Sequence, residues 1–151
     1  MRLLELTCDR FRCLNNLRFE PGPGLNVIRG DNAQGKTSIL EAVLYAATSK
    51  SHRTSAESDL VQRGEAIFRV SARVQRAARE VHTEIAWSHG AKRIKVNGVN
   101  QTRVSDLLGK INAVIFSPED SDLVRGSASN RRTFLDMELS QLHASYLHAL
   151  Q

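Results

Sequence analysis

The strongest chemical signal in this chain is the stretch Gly30-Asp31-Asn32-Ala33-Gln34-Gly35-Lys36-Thr37-Ser38. A glycine, four residues and then Gly-Lys-Thr is the spacing of a phosphate-binding loop. Gly30 and Gly35 let the backbone turn tightly, so that successive N–H groups, including that of Ala33, aim inward at phosphate oxygens. A helix opening near Gly35 adds an N-terminal partial charge of about +0.5. Lys36 offers an ammonium to the β- and γ-phosphates, Thr37 a hydroxyl to Mg²⁺, and Ser38 a donor to the α-phosphate. Asn32 is either a contact to the γ-phosphate or a partner subunit, or a turn former, and Gln34 has the same two readings. The bland alternative for the whole stretch is a glycine-rich turn that happens to contain Lys-Thr.

The flanks decide between them. A short apolar run (Leu25, Val27, Ile28) predicts a strand over 25–29 leading in. Ile39, Leu40, Ala42, Val43 and Leu44 predict a helix leading out to about Ala47. Strand, glycine-rich loop and helix in that order frame a nucleotide site. Hydrolysis needs more: a carboxylate on a later apolar strand to share Mg²⁺, and a group that positions water. The apolar run over 113–116, expected as a buried strand, ends in Ser117-Pro118-Glu119-Asp120, which is not that pattern.

Other elements must carry the loop. Residues 2–8 suggest a strand, residues 11–19 a turn at Leu14-Asn15-Asn16 and a second short strand, and Pro21-Gly22-Pro23-Gly24 breaks the chain. Residues 48–65 read as a polar connection with one helical turn. Phe68, Val70, Ala72 and Val74, then Val81, Thr83, Ile85 and Trp87, then Ile94 and Val96 alternate with polar residues. That period of two predicts an antiparallel meander over 66–101. Asn97-Gly98 suits a two-residue hairpin turn, because both central residues need positive φ. Arg69, Arg73, Lys92, Arg93 and Lys95 are expected to share its wet face, as a contact for DNA phosphates or as a solvated surface. A short helix is expected over 103–109. From Ser129 onward, Leu135, Leu139, Leu142, Tyr146 and Ala149 draw one apolar seam along a helix. Arg131 and Arg132 open that helix against its dipole, and Asp136 is placed to pair with Arg132.

The chain has 151 residues, enough for one domain or part of one. Its 41% hydrophobic and 25% charged content fits a soluble globular chain. The net charge of +5 suits a polyanionic partner. Arginines far outnumber lysines, which suits phosphate recognition but is equally the mark of a GC-rich genome. Cys8 and Cys13 form neither a metal-ligand set nor a disulfide framework. With no charged-then-apolar leader and no apolar run of about 18 residues, a cytoplasmic protein without a membrane partner is expected.

Several motifs converge on one family. Leu3-Leu4-Glu5-Leu6-Thr7 with Phe11-Arg12 resembles the opening of SMC-like ABC ATPases. The loop followed by Leu40-Glu41-Ala42 resembles the RecF family, as do Ser51-His52-Arg53-Thr54 and Val96-Asn97-Gly98-Val99 with Arg103-Val104-Ser105-Asp106-Leu107. The most specific match runs from Phe116-Ser117-Pro118-Glu119-Asp120 through Gly126 to Arg131-Arg132-Thr133-Phe134-Leu135-Asp136. The similarity covers essentially the whole chain, in order.

The resemblance implies an α/β fold: lobe I of an ABC-type P-loop ATPase, with a mixed sheet around the P-loop helix, an antiparallel β subdomain and the start of a helical arm. It divides the chain into residues 1–126, the ATPase lobe, and 127–151, the arm. RecF proteins are well over twice this length, so the chain is read as a piece of one or as a truncated gene product. The resemblance further implies ATP and Mg²⁺ as cofactors, and an ATP-dependent homodimer at full length. It implies DNA, gapped or double-stranded, as a partner, together with RecO and RecR and, indirectly, RecA. The setting it implies is DNA replication, repair, recombination and the SOS response. Arg12 would approach the nucleotide, the alternative being an exposed turn arginine. His52 and Arg53 would lie near base or ribose, and Glu119 and Asp120 either near Mg²⁺ or at a helix cap.

No ABC signature motif or acidic Mg²⁺-binding strand is present, so little turnover is expected of this chain alone. Two rival readings are a motor subunit of another ABC-type ATPase and an inactive nucleotide-binding fragment. A transporter motor predicts an aromatic residue before the loop and a Gln at the lobe junction. Phe11 and Phe19 are weak candidates for the first, and Ser117-Pro118-Glu119-Asp120 opposes the second.

Overall fold

A computed structural model describes residues 1–118 and 122–150. Alternating apolar residues build one six-stranded sheet, in the order β2-β1-β3-β4-β5-β6. Its strands are β1 (Arg2–Asp9), β2 (Leu17–Phe19), β3 (Ile67–Arg76), β4 (Arg79–Ser88), β5 (Ala91–Val96) and β6 (Val99–Gln101). Every pairing is antiparallel. The expected meander is therefore present, and through β1·β3 pairing it is continuous with the N-terminal strands rather than set apart from them. Asn97 and Gly98 take φ values of 50° and 79°, the positive pair the hairpin requires.

Leu6, Cys8, Phe68, Val70, Ala72, Val74, Thr83, Ile85, Ile94 and Val96 point to one face and are buried. Helix α1 (Lys36–Thr48) lies in the same core, with Ala42, Tyr45, Ala46 and Ala47 inaccessible. Thr83, the one polar side chain among those inward strand residues, donates its hydroxyl to the Ala46 carbonyl at 3.1 Å, so burial leaves it satisfied. Three rings close the end of the core. Phe11, Tyr45 and Phe68 meet pairwise with centroids 5.4–5.7 Å apart, and Trp87 stacks on Phe68 at 6.1 Å. Such tilted and edge-on contacts add to the stabilisation from burial.

The opposite sheet face carries alternating charge. Arg73 pairs with Glu5 (3.6 Å) and Glu80 (3.9 Å), and Lys95 with Glu84 (3.5 Å). Lys92 is not on that face. Its register partner is Trp87, opposite Phe68, so it points inward, over the Tyr45 ring and onto the Ser49 carbonyl and hydroxyl. The expected basic stripe thus loses Lys92 to the core side, and the rest is interleaved with carboxylates.

Three further expectations are corrected. The segments 25–29 and 113–116 form no strands, and Leu25, Val27, Val114 and Phe116 are largely exposed. Apolar alternation registers a need for burial, but a strand also needs a neighbouring strand to pair with, and among the described residues neither segment is paired with one. The helix over 103–109 is a single 3₁₀ turn, Val104–Asp106. The terminal helix is broken. After the short α2 (Asp122–Arg125), α3 (Ala128–Leu142) stops at His143, whose φ of −130° and ψ of 105° are extended, and α4 (Ala144–Leu150) follows.

The predicted seam gives way to polar contacts: Leu135 and Leu142 are exposed, whereas Ser140 and Gln141 are buried. The Gln141 amide accepts from the Ala113 N–H (2.9 Å) and donates to the Ala113 carbonyl (3.1 Å), which sets the buried face of α3. Asp136 accepts from the Tyr146 hydroxyl (2.6 Å) in place of the expected Arg132. Arg131 donates to the Leu123 and Gly126 carbonyls, which accounts for a cation at a helix start.

Removing the ring at the centre of the aromatic group should be costly. Phe68→Ala is expected to lower unfolding free energy by roughly 3–5 kcal/mol, since the cavity cannot be filled by the surrounding rings. A urea titration followed by Trp87 fluorescence measures it, and a loss under 1 kcal/mol would show that the three rings collapse into the gap.

Candidate nucleotide site

The loop expected to bind phosphate ends at α1 with the helix N-terminus open. Gly35 occupies the cap position at φ 93°, no side chain caps the helix, and no acidic residue lies in its first turn. Its first amides are therefore available to an anion. Gly35 is required twice over. Its backbone is left-handed, and a Cβ there would lie 2.9 Å from Leu14 Cδ2 and 3.0 Å from Cys13 Sγ. Ala33 is also left-handed, at φ 64°. Lys36 bends back across the loop, and its ammonium donates to the Gly30 (2.7 Å) and Asp31 (2.5 Å) carbonyls.

A cavity of about 580 Å³ opens at this helix end. It brings together Arg12, Asn32, Ala33, Gly35, Lys36, Thr37 and Ser38 from the sequence-derived set, joined by Cys13, Arg53, Asp59 and Val61. Gly30 and Gln34 are exposed and do not line it. Thr37 is exposed, whereas Ser38 is buried, its hydroxyl 3.7 Å from Cys13 Sγ.

Arg12 reaches the cavity through the turn after β1. Phe11 is locked into the aromatic group and bridged to Leu14, which leaves Arg12 in a left-handed conformation (φ 56°), held by its N–H to the Leu60 carbonyl at 2.6 Å. Its guanidinium then forks onto Glu41, Nε to Oε2 at 3.1 Å and Nη2 to Oε1 at 2.8 Å, while Nη1 donates to the Asp59 carbonyl at 2.8 Å. Glu41, with a fully buried side chain, also accepts from Ser51 Oγ (2.6 Å) and Arg53 Nη1 (3.3 Å). Burial would push this carboxyl up. The hydrogen bonds from Arg12 and Ser51, with the charges of Arg12 and Arg53, outweigh burial and hold it below its ordinary 4.5.

Glu41 is the residue that sequence reasoning passed over as a site member. The signal was present: a carboxylate on the apolar side of a helix needs partners, and Arg12 and Arg53 were both singled out. Arg53 does border the phosphate loop, but His52 does not. It lines a larger cleft of about 1070 Å³, which Arg53 also borders, beside Tyr45, Trp87, Lys92 and Met137. That cleft is lined by none of residues 30–38. Glu119 and Asp120 lie outside the described residues. Among the described residues no group of three or more His, Cys, Asp or Glu could hold a metal ion.

A family model described as an AAA domain matches residues 5–145. The DNA replication and repair protein RecF of Halalkalibacterium halodurans is 42% identical over 150 residues, which is 99% of this chain and 40% of that protein. A solved structure of the recombination mediator protein RecF with ATP, in the RecFOR pathway, superposes with a TM-score of 0.93 at 37% identity over 99% of this chain and 40% of that one. The SMC head domain from Thermotoga maritima shares the fold alone, with a TM-score of 0.59 at 18% identity over 70% of this chain. The chain thus spans about 40% of the length of the RecF proteins it matches.

The depressed Glu41 carboxyl makes a pH prediction. A group ionised more readily in the folded chain stabilises the fold above its unfolded value, and that contribution fades as pH falls below 4.5 through the folded value. As pH falls below 4.5, urea midpoints of the native chain should fall more steeply than those of Glu41→Gln. Parallel curves would show that Glu41 is not held ionised.

Proposed function

The chain belongs to the AAA-domain family and is similar along its length to RecF, and from that premise we propose that it is the ATP-binding lobe of a RecF-like DNA replication and repair ATPase. The fold is that of a P-loop ATPase lobe of the ABC and SMC type. The observation that carries the proposal is the convergence, in one cavity, of an uncapped helix N-terminus, Lys36, Thr37 and two arginines held on a shared carboxylate. Triphosphate bears several negative charges, and these groups supply backbone donors, an ammonium and planar guanidiniums to meet them. Thr37 gives its hydroxyl to Mg²⁺, and Gly30, Asn32, Ala33, Gln34, Gly35 and Ser38 form the rest of the loop. When bound, ATP with Mg²⁺ supplies the phosphoanhydride to be cleaved.

Residues 1–126 act as the ATPase lobe and 127–151 as the start of a helical arm. The exposed apolar side chains of Leu25, Val27, Val114 and Phe116 support a lobe covered by further protein. In the whole molecule we place ATP-dependent homodimerisation, binding of DNA at single-strand gaps, and loading of RecA with RecO and RecR during repair and the SOS response. The net charge of +5 supports a DNA partner, although the salt-bridged outer sheet face does not single itself out as the contact. No helix among the described residues is long and apolar enough to cross a membrane, and a cytoplasmic setting accords with a DNA partner.

For this chain alone the expected behaviour is weak binding of ATP–Mg²⁺ and negligible turnover. Lys36→Ala should weaken nucleotide binding at least tenfold by equilibrium titration with a fluorescent ATP analogue. Unchanged affinity in that variant would remove the site. Robust phosphate release by the wild-type chain would mean that a catalytic carboxylate acts within it.

A further inference from the structure

Glu41 poses an electrostatic problem. It sits five residues beyond Lys36 on the same helix, roughly 7.5 Å along the axis from the loop that is to hold phosphates. A carboxylate at that range repels an anion. Its side chain is nevertheless fully buried and accepts from three residues: Arg12 through two nitrogens, Arg53 and Ser51. The trio Arg12, Arg53 and Glu41 has a net charge of +1, and both arginines line the cavity.

We infer that Glu41 is a positioning residue for nucleotide binding, acting by holding the Arg12 and Arg53 guanidiniums against the wall of the cavity. This rests on the nucleotide reading given above. Arg12 spends three nitrogens on fixed acceptors, Glu41 Oε1 and Oε2 and the Asp59 carbonyl, so its plane is set while 21% of the side chain remains exposed at the cavity. A guanidinium fixed before the ligand arrives loses less conformational freedom on binding. Ser51 ties the arrangement to the following loop. Its hydroxyl donates to Glu41 and accepts from the N–H groups of Arg53 (2.9 Å) and Thr54 (3.3 Å), so one carboxylate orders both the β1–β2 turn and the segment that carries Arg53.

Positioning and simple repulsion predict opposite signs. Glu41→Gln keeps the shape and removes the charge. If the carboxylate acted only as a nearby negative charge, its loss would tighten nucleotide binding. Acting through the arginines, its loss weakens binding.

The experiment is a double-mutant cycle on the chain, using a fluorescent ATP analogue with Mg²⁺ and confirming a cooperative melt for each variant. Glu41→Gln is expected to weaken binding about tenfold. Arg12→Ala should weaken it similarly, and the double variant should lose less than the product of the two single losses, because part of the effect of Glu41 runs through Arg12. A merely structural contribution would instead multiply. Affinity of Glu41→Gln equal to or tighter than wild type, or a multiplicative loss in the double variant, overturns the inference. Should Glu41→Gln not fold, Arg12→Lys takes its place. It keeps the charge but not the fork, and is expected to weaken binding severalfold, whereas wild-type affinity would overturn the inference. Lys36→Ala, run alongside, separates the two levels: lost binding there with wild-type binding in Glu41→Gln removes only the positioning role, and retained binding there removes the nucleotide site itself.

Discussion

A carboxylate taken wholly out of water must be paired, and much of the architecture around the phosphate loop follows from meeting that demand for Glu41. An ionised carboxyl with no partner would cost several kcal/mol or would take up a proton. The chain brings three partners from distant positions: Arg12 from the turn after β1, and Ser51 and Arg53 from the loop after α1. Each is constrained in turn. Arg12 takes a left-handed backbone that is tolerated because Phe11 is buried beside it and its own N–H is bonded to Leu60. Strain of that kind persists where the surroundings over-determine it, and it clusters at functional sites.

The aromatic group and the ionic group are two layers of one device. Phe11 and Arg12 are adjacent in sequence, and Glu41 and Tyr45 are one helical turn apart on α1. Phe11 meets Tyr45 in the dry layer, and Arg12 meets Glu41 at the rim. This fixes α1 against the first strand in both depth and rotation, and so fixes its N-terminus, where Gly35 has no space for a Cβ against Leu14 and Cys13. The open amides, Lys36 and Thr37 are aimed by this packing of the helix start.

What could be read from the chain without coordinates was whatever local periodicity and turn chemistry determine. The meander, the Asn97-Gly98 hairpin and α1 are of this kind, and each appears where expected. Long-range matters were harder. Residues 25–29 and 113–116 have the composition of strands, yet pairing depends on a neighbour that composition does not supply. Lys92 was assigned to the wrong face because alternation was judged by charge rather than by register against Trp87 and Phe68. The arm was drawn as one helix because Leu spacing ignores Gln141, whose two bonds to Ala113 decide which side faces inward. At the site, the glycines and Lys36 announced themselves. Glu41 stayed hidden because its partners lie 29 and 12 residues away in sequence.

The central claim is that nucleotide phosphate docks at the N-terminus of α1, between Lys36 and the Glu41-held arginines. Backbone and arginine side-chain NMR of the chain titrated with ATP–Mg²⁺ tests it most directly. The largest shifts are expected at the amides of residues 33–38 and at the Arg12 guanidinium, with little change around Trp87 and Met137 in the larger cleft. Shifts centred on that cleft, with the loop amides unmoved, would contradict it.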